Sequence, residues 1–129
     1  MPSFDITKAI NGVFLNEWPN ERVQYHGETL EGTNNMEDFI SLIYNPAENV
    51  PYGFDGTSTG RIQYVGAQKV FCYAKSPTLA LKLADQVKTF LNGRQINNMR
   101  IGIGQDRQPT DLGTGFYEVP CIFTIEEWA

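Results

Sequence analysis

The chain has 129 residues, 41% of them hydrophobic and 12% aromatic, with 10 Lys and Arg against 15 Asp and Glu, for a formal net charge of −5. That length supports one domain, residues 1–129, with a real core, and the apolar content is too high for a disordered chain. Basic residues never cluster beyond pairs, so the electrostatic footprint of a nucleic-acid-binding surface is missing. No apolar run approaches the roughly 20 residues that span a bilayer, and the opening MPSFDITKAING, with Asp5 inside it, does not read as a signal peptide.

In chain order, Ile6, Ala9, Ile10, Val13 and Phe14 fall at helical spacing and predict a short amphipathic helix over 3–15. Asn11-Gly12 weakens that helix and can end it early. Trp18-Pro19-Asn20 reads as a turn. Val23 and Tyr25 alternate with Arg22, Gln24 and His26, which predicts a short strand ending near Gly27, and GETLEGTNN then reads as a surface loop. Lone His26 has no Cys, Ser or acid at a catalytic or ligand spacing, so the expectation is a surface or satisfied histidine. The block Phe39, Ile40, Leu42, Ile43, Tyr44 favours a buried strand over a short helix capped by Asn34 or Asn35, with Pro46 as its stop. Residues 46–60, PAENVPYGFDGTSTG, make a long loop without the Lys and Ser/Thr of a phosphate loop.

The centre of the chain runs from Arg61 to Ile96. Ile62, Tyr64, Val70, Cys72 and Ala74 alternate around an interruption at Gly66, which predicts a long strand. Ser76-Pro77 supplies a helix cap and a first-turn proline. The helix extends over Thr78–Asn92, with Leu79, Leu83, Val87, Phe90 and Leu91 as its apolar stripe and Gly93 as its left-handed stop. Asn98–Gly104 alternates Met99, Ile101 and Ile103 inward, and 105–115 comes next as a second long loop of a length that suits a partner contact. The last strand, Phe116–Trp128, turns Tyr117, Val119, Cys121, Phe123 and Ile125 to the core and leaves its other face mixed. Pro120 cannot donate to a ladder, which places it at an edge or a bulge, and a long edge invites pairing with another chain.

The fold class expected is α+β: a mixed, mainly antiparallel sheet of about four to five strands, packed by an N-terminal helix and one long central helix. No catalytic constellation emerges. A nucleophile–histidine pair would have to use His26, no G-x-S-x-G elbow exists, and Glu126 and Glu127 point to opposite faces of a strand. Asp55, Asp106 and Asp111 lack the spacing of a calcium loop, and Cys72 and Cys121 lack that of a zinc site. Those cysteines read as two buried free thiols, with a disulfide between neighbouring strands as the alternative. No metal, cofactor or catalytic residue is assigned.

The order of these elements resembles the tail terminator, or tail-completion, proteins of long-tailed bacteriophages. The likeness rests on VFCYAK, PTLALKLADQVKTFLNG and FYEVPCIFTIEEWA over residues 61–129, and fits the first 60 residues more loosely. It is a match of architecture, without a short diagnostic motif. The resemblance implies a structural virion protein rather than an enzyme. Copies of it would close into a hexameric ring in the tail or neck, assembled in the host cytoplasm. That ring caps the tail tube, stops its polymerisation and presents a surface to a head-completion or connector protein. DNA passes through without specific binding, and no membrane is involved. Loop position alone makes Asp55, Thr57, Arg61, Arg107, Asp111 and Leu112 the candidate ring or tube contacts. Two alternatives stand beside this reading: another neck or tail component, such as a head-completion or tail tube protein, and a small α+β enzyme or ligand-binding domain.

Overall fold

The computed structural model of the protein describes residues 3–19, 22–26, 28–51 and 62–128. Helix α1, Ser3–Glu17, buries Ile6, Ile10 and Phe14, one residue per turn, and Trp18 continues the same stripe just past its end. Asn11-Gly12 does not end it. A glycine inside a helix costs about 1 kcal/mol, whereas each large apolar side chain buried on the stripe returns about 1.5–3 kcal/mol.

Strand β1, Val23–Gln24, lies parallel to β2, Asp38–Pro51, with Val23 opposite Ile40. The polar segment between them includes a 3-10 turn at Thr33–Asn35. Contrary to expectation, β2 continues past Pro46, with a break in its register against β3 between Pro46 and Val50. The phase of the ladder explains why. The Ile40 N–H donates to Arg22 O, away from β3. Register against β3 is unbroken from Asp38 to Pro46, so Pro46 shares that outward phase. β1 pairs with Ile40 and Ser41, and among the described residues no strand lies where the N–H that proline lacks would point.

Strand β3, Ile62–Ala74, turns Gly66, Gln68, Val70, Cys72 and Ala74 inward, the face the alternation gives. A Cβ on Gly66 would sit 2.5 Å from Asn45 O and from Tyr44 Oη, which is why the alternation is interrupted there. Helix α2, Pro77–Leu91, starts as the sequence indicates: Ser76 Oγ accepts from the Leu79 N–H at 3.2 Å. It stops at Asn92, followed by Gly93 with φ +70°. Its buried stripe is Ala80, Leu83, Ala84, Val87 and Leu91. Leu79, expected on that stripe, is 44% exposed. The two small alanines face the sheet, and the leucine is rotated to the flank; Phe90 is likewise displaced, toward the rings of α1.

Beyond α2, a small hairpin of β4, Gln95–Ile96, and β5, Met99–Ile101, turns at Asn97. Short strands β6, Gln105–Asp106, and β7, Thr110–Asp111, come next, and then the long β8, Tyr117–Trp128. The segment expected to be a free loop over 105–115 is therefore paired. β5, β6 and β7 all lie antiparallel to β8 and form one strand that slips twice, by one residue before Gln105 and by one before Thr110. Each slip is a bulge. The first turns Ile103 outward, 78% exposed rather than inward as the alternation predicts. Glycines sit on either side of it because a Cβ at Gly102 would strike the Thr124 hydroxyl, and one at Gly104 the Phe123 ring.

Of the two settings Pro120 allowed, an edge or a bulge, the structure has the bulge: β8 is an interior strand between β3 and the slipped strand. Gly102 N–H donates to Thr124 O at 2.8 Å, so β8 residues in phase with Thr124 face the slipped strand. Pro120 shares that phase and lies between the residues paired with β6 and those paired with β7. Its missing N–H coincides with the second bulge.

The described residues thus form a mixed α+β layer structure, one eight-stranded sheet in the order β1-β2-β3-β8-β5-β4, with β6 and β7 also on β8. The count exceeds the expected four to five because one slipped strand is read as three and because β4 is an additional two-residue strip. Both helices pack on one face over Ile40, Leu42, Val70, Cys72, Val119, Cys121, Phe123 and Ile125.

Candidate functional site

Of the six contact residues expected from loop position, Asp55, Thr57 and Arg61 lie outside the described residues. The other three sit on or beside the slipped strand. Arg107 is exposed in the second bulge, between β6 and β7. Asp111 ends β7, and its Oδ1 accepts from the Gly113 N–H at 2.9 Å, so its carboxylate folds the turn into β8. Leu112 is 40% exposed at that turn, which its own N–H closes on Phe116 O at 3.1 Å.

Asp106 holds this strand to α2. Lys88 Nζ lies 3.1 Å from Asp106 and 3.4 Å from Asp85. The hydrogen bond to Asp106 is the main reason the Lys88 ammonium titrates above its ordinary range. Leu81, Asp106, Arg107 and Gln108 line an open depression of about 620 Å³ beside this contact. Beside Leu81 of α2, the bulge that Pro120 accommodates therefore presents a cation and an amide at one place on the surface.

No sequence pattern announces a second surface, a groove of about 790 Å³ between the end of α1, the start of β2 and the flank of α2. Trp18 and Phe90 line its wall, 5.0 Å apart edge to face, with Phe14 behind them. On its rim Arg22 pairs with Asp38 at 2.6 Å, and Arg94 reaches Glu17 at 2.9 Å while lying over the Phe90 ring. Trp18 is 8% exposed, and its indole N–H has no partner among the described residues. Trp18 follows Phe14 by four positions, so continuing the α1 stripe past the helix would have found it. The groove itself joins side chains too distant in sequence for any local pattern to collect.

The opposite face of the sheet carries Phe39 stacked on Tyr73 at 4.7 Å, with Phe116 edge-on at 5.3 Å and Lys75 Nζ 4.0 Å from its ring centre. Burial, and then a hydrogen bond to Glu118, push the Tyr73 phenol far above its ordinary pKa. His26 is a satisfied histidine, as expected, with Nδ1 2.6 Å from Asn11 Oδ1 and Nε2 3.1 Å from Gln68 Oε1. Cys72 and Cys121 are free and buried rather than joined in a disulfide. Among the described residues no three His, Cys, Asp or Glu are grouped to share a metal ion, and no helix is long and apolar enough to cross a membrane. What these surfaces offer chemically is contact: a mixed-charge bulge, an aromatic-walled groove and an aromatic face.

No family model matches the sequence, and no curated protein does. Among solved structures, the chain is similar to a chain described as "Virion of native gene transfer agent (GTA) particle", with a TM-score of 0.59 and 13% identity over 96% of this chain and 95% of that one. At that identity what is shared is the fold, and it is shared from end to end.

Proposed function

We propose that this protein is a structural component of a phage-type virion, and within that class a tail terminator: a subunit of a hexameric ring that caps the tail tube, ends its growth and joins it to the capsid connector. The observation that carries the reading is the fold likeness to a chain of a virion particle, which spans nearly the whole of both chains. The order of elements over residues 61–129 points the same way. Ring closure needs two different patches that meet head to tail. Arg107, Asp111 and Leu112 on the slipped strand supply one, and the Trp18–Phe90 groove is suited to be the other. An acidic chain, −5 overall, lines a channel that DNA traverses without sticking.

Native mass spectrometry over a concentration series, with electron microscopy of the species found, tests this. A closed hexamer is expected, and it should stop growth of the tail tube protein when the two are mixed. Arg107→Glu with Leu112→Asp should cut ring yield at least tenfold while leaving the melting temperature unchanged, since both side chains are exposed. Rings at wild-type yield would remove that bulge from the contact. Another virion part remains the second reading, because the similar chain is described by its particle and not by its place in it. Long tubes built by this chain alone would favour a tube subunit.

A further inference from the structure

We infer that His26 is a proton-operated latch that ties α1 to the sheet in two fully hydrogen-bonded states, which differ in ring charge and in the orientation of the Asn11 amide.

Gln68 fixes the direction of the latch. It is 0% exposed on the inward face of β3. Its Nε2 donates to Ile43 O at 3.2 Å and to Lys69 O at 3.0 Å. A side-chain amide has two protons, and both are used. Turned over, the amide would aim its oxygen at those two carbonyl oxygens, so Oε1 is held toward His26, 3.1 Å from Nε2. An amide oxygen only accepts. His26 Nε2 therefore carries a proton whatever the charge of the ring, and Nδ1 is the position that titrates.

Nδ1 lies 2.6 Å from the Asn11 side chain on α1. With the ring charged, Nδ1–H donates to Asn11 Oδ1. With the ring neutral, Nδ1 accepts, and a half-turn about the last bond of Asn11 brings its NH2 group there instead. Asn11, unlike Gln68, is free to make that turn: it has no other side-chain bond among the described residues. Neither state loses a hydrogen bond. They differ in that the charged ring is placed in a half-buried site, and burial is the main cause that moves the His26 pKa below 6.5, with the Gln68 bond opposing it. The titratable groups on the surrounding elements are Asp5 and Lys8 on α1, Tyr25 and Glu28 in its own segment, Tyr44 on β2 and Lys69 on β3. Asp5, Lys8 and Glu28 are exposed, Lys69 alternates to the other face of the sheet, and none enters the causes of the shift.

The unfolded chain binds this proton more tightly than the folded one. The stability contributed by the neutral ring is thus complete above about pH 6.5 and is lost as pH falls through the lower folded value.

With one histidine in the chain, the test is direct. Long-range proton–nitrogen correlation spectra of the full-length, 15N-labelled protein are recorded through a pH titration. The expected result is an Nε2-protonated neutral ring, a midpoint below 6.5, and Asn11 side-chain amide signals that shift with the same midpoint. An Nδ1-protonated ring, or Asn11 signals indifferent to the titration, would overturn the latch. Asn11→Asp supplies the second measurement. A carboxylate can only accept, so the midpoint should rise by about one unit or more; an unchanged midpoint in that variant also overturns it.

Discussion

β8 has two neighbours, and they could hardly be paired with it more differently. On one side β3 accompanies it for twelve residues with a single slip at Gly66. On the other, the chain from Met99 to Asp111 keeps pace only by slipping twice, at Gly102–Gly104 and again opposite Pro120. The first side carries the core, with Val70, Cys72, Val119 and Cys121 at 0% exposure. The second carries exposed Ile103, Arg107 and Leu112. Continuous register lets side chains alternate strictly, and one face can then be wholly apolar. A bulge breaks that alternation and re-aims the side chains beyond it. In this molecule the slipped flank of β8 joins the core only before its bulges, at Met99 and Ile101, and beyond them offers surface for contact.

That contrast can be broken most severely from the continuous side. Val70→Asp should cost about 4 kcal/mol or more, because it leaves an unpaired carboxylate between the sheet and α2. Loss of the cooperative thermal transition is the expected readout, and a folded variant would mean that this flank is not the core. Next comes Gly104→Ala at the first slip. The added methyl strikes the Phe123 ring, and overpacking of this kind costs about 1–3 kcal/mol by denaturant titration. A neutral effect would show that the slip can move at no cost. The smallest change is expected from Pro120→Ala. It restores an N–H that faces the second bulge, so no new ladder bond forms, and the unfolded chain gains freedom at a cost of about 0.4–1 kcal/mol. A gain in stability would reveal an acceptor waiting in the bulge.

The same contrast governs what the sequence makes legible. β3 and the inward face of β8 are readable because period-two runs such as Val70, Cys72, Ala74 and Val119, Cys121, Phe123 meet an unbroken ladder. The ends of α2 are readable because Ser76 acts through a bond to a residue one turn away and Gly93 through its own left-handed backbone. Residues 105–115 read as a loop because Pro109, Gly113 and Gly115 are residues that mark loops, although two short strands pair there with β8. Pro46 misleads because a proline stops a strand only if its N–H was due a partner, which depends on ladder phase; Pro120, read as an edge or a bulge, does lie opposite a bulge. Leu79 misleads because leucine outranks alanine as an apolar marker, while close packing of α2 on the sheet favours Ala80 and Ala84. At the candidate site, exposure of Arg107 and Leu112 is legible in their polar, Gly-rich context, but the bond from Asp111 to Gly113 and the Trp18–Phe90 groove depend on how distant segments meet.

The two cysteines give the molecule a built-in clock. Both thiols lie at 0% exposure beneath α2, and the hydrogen bond with Cys121, then burial, hold the Cys72 thiol well above its ordinary pKa. An alkylating reagent attacks the thiolate, and in the closed protein it has no access to either sulfur. Modification of Cys121, whose Sγ lies 3.9 Å from the Ala84 carbonyl, must wait for α2 to lift away from the sheet. At saturating reagent the labelling rate becomes the opening rate, so the lifetime of the closed state can be read in an otherwise unmodified chain, alone or after assembly.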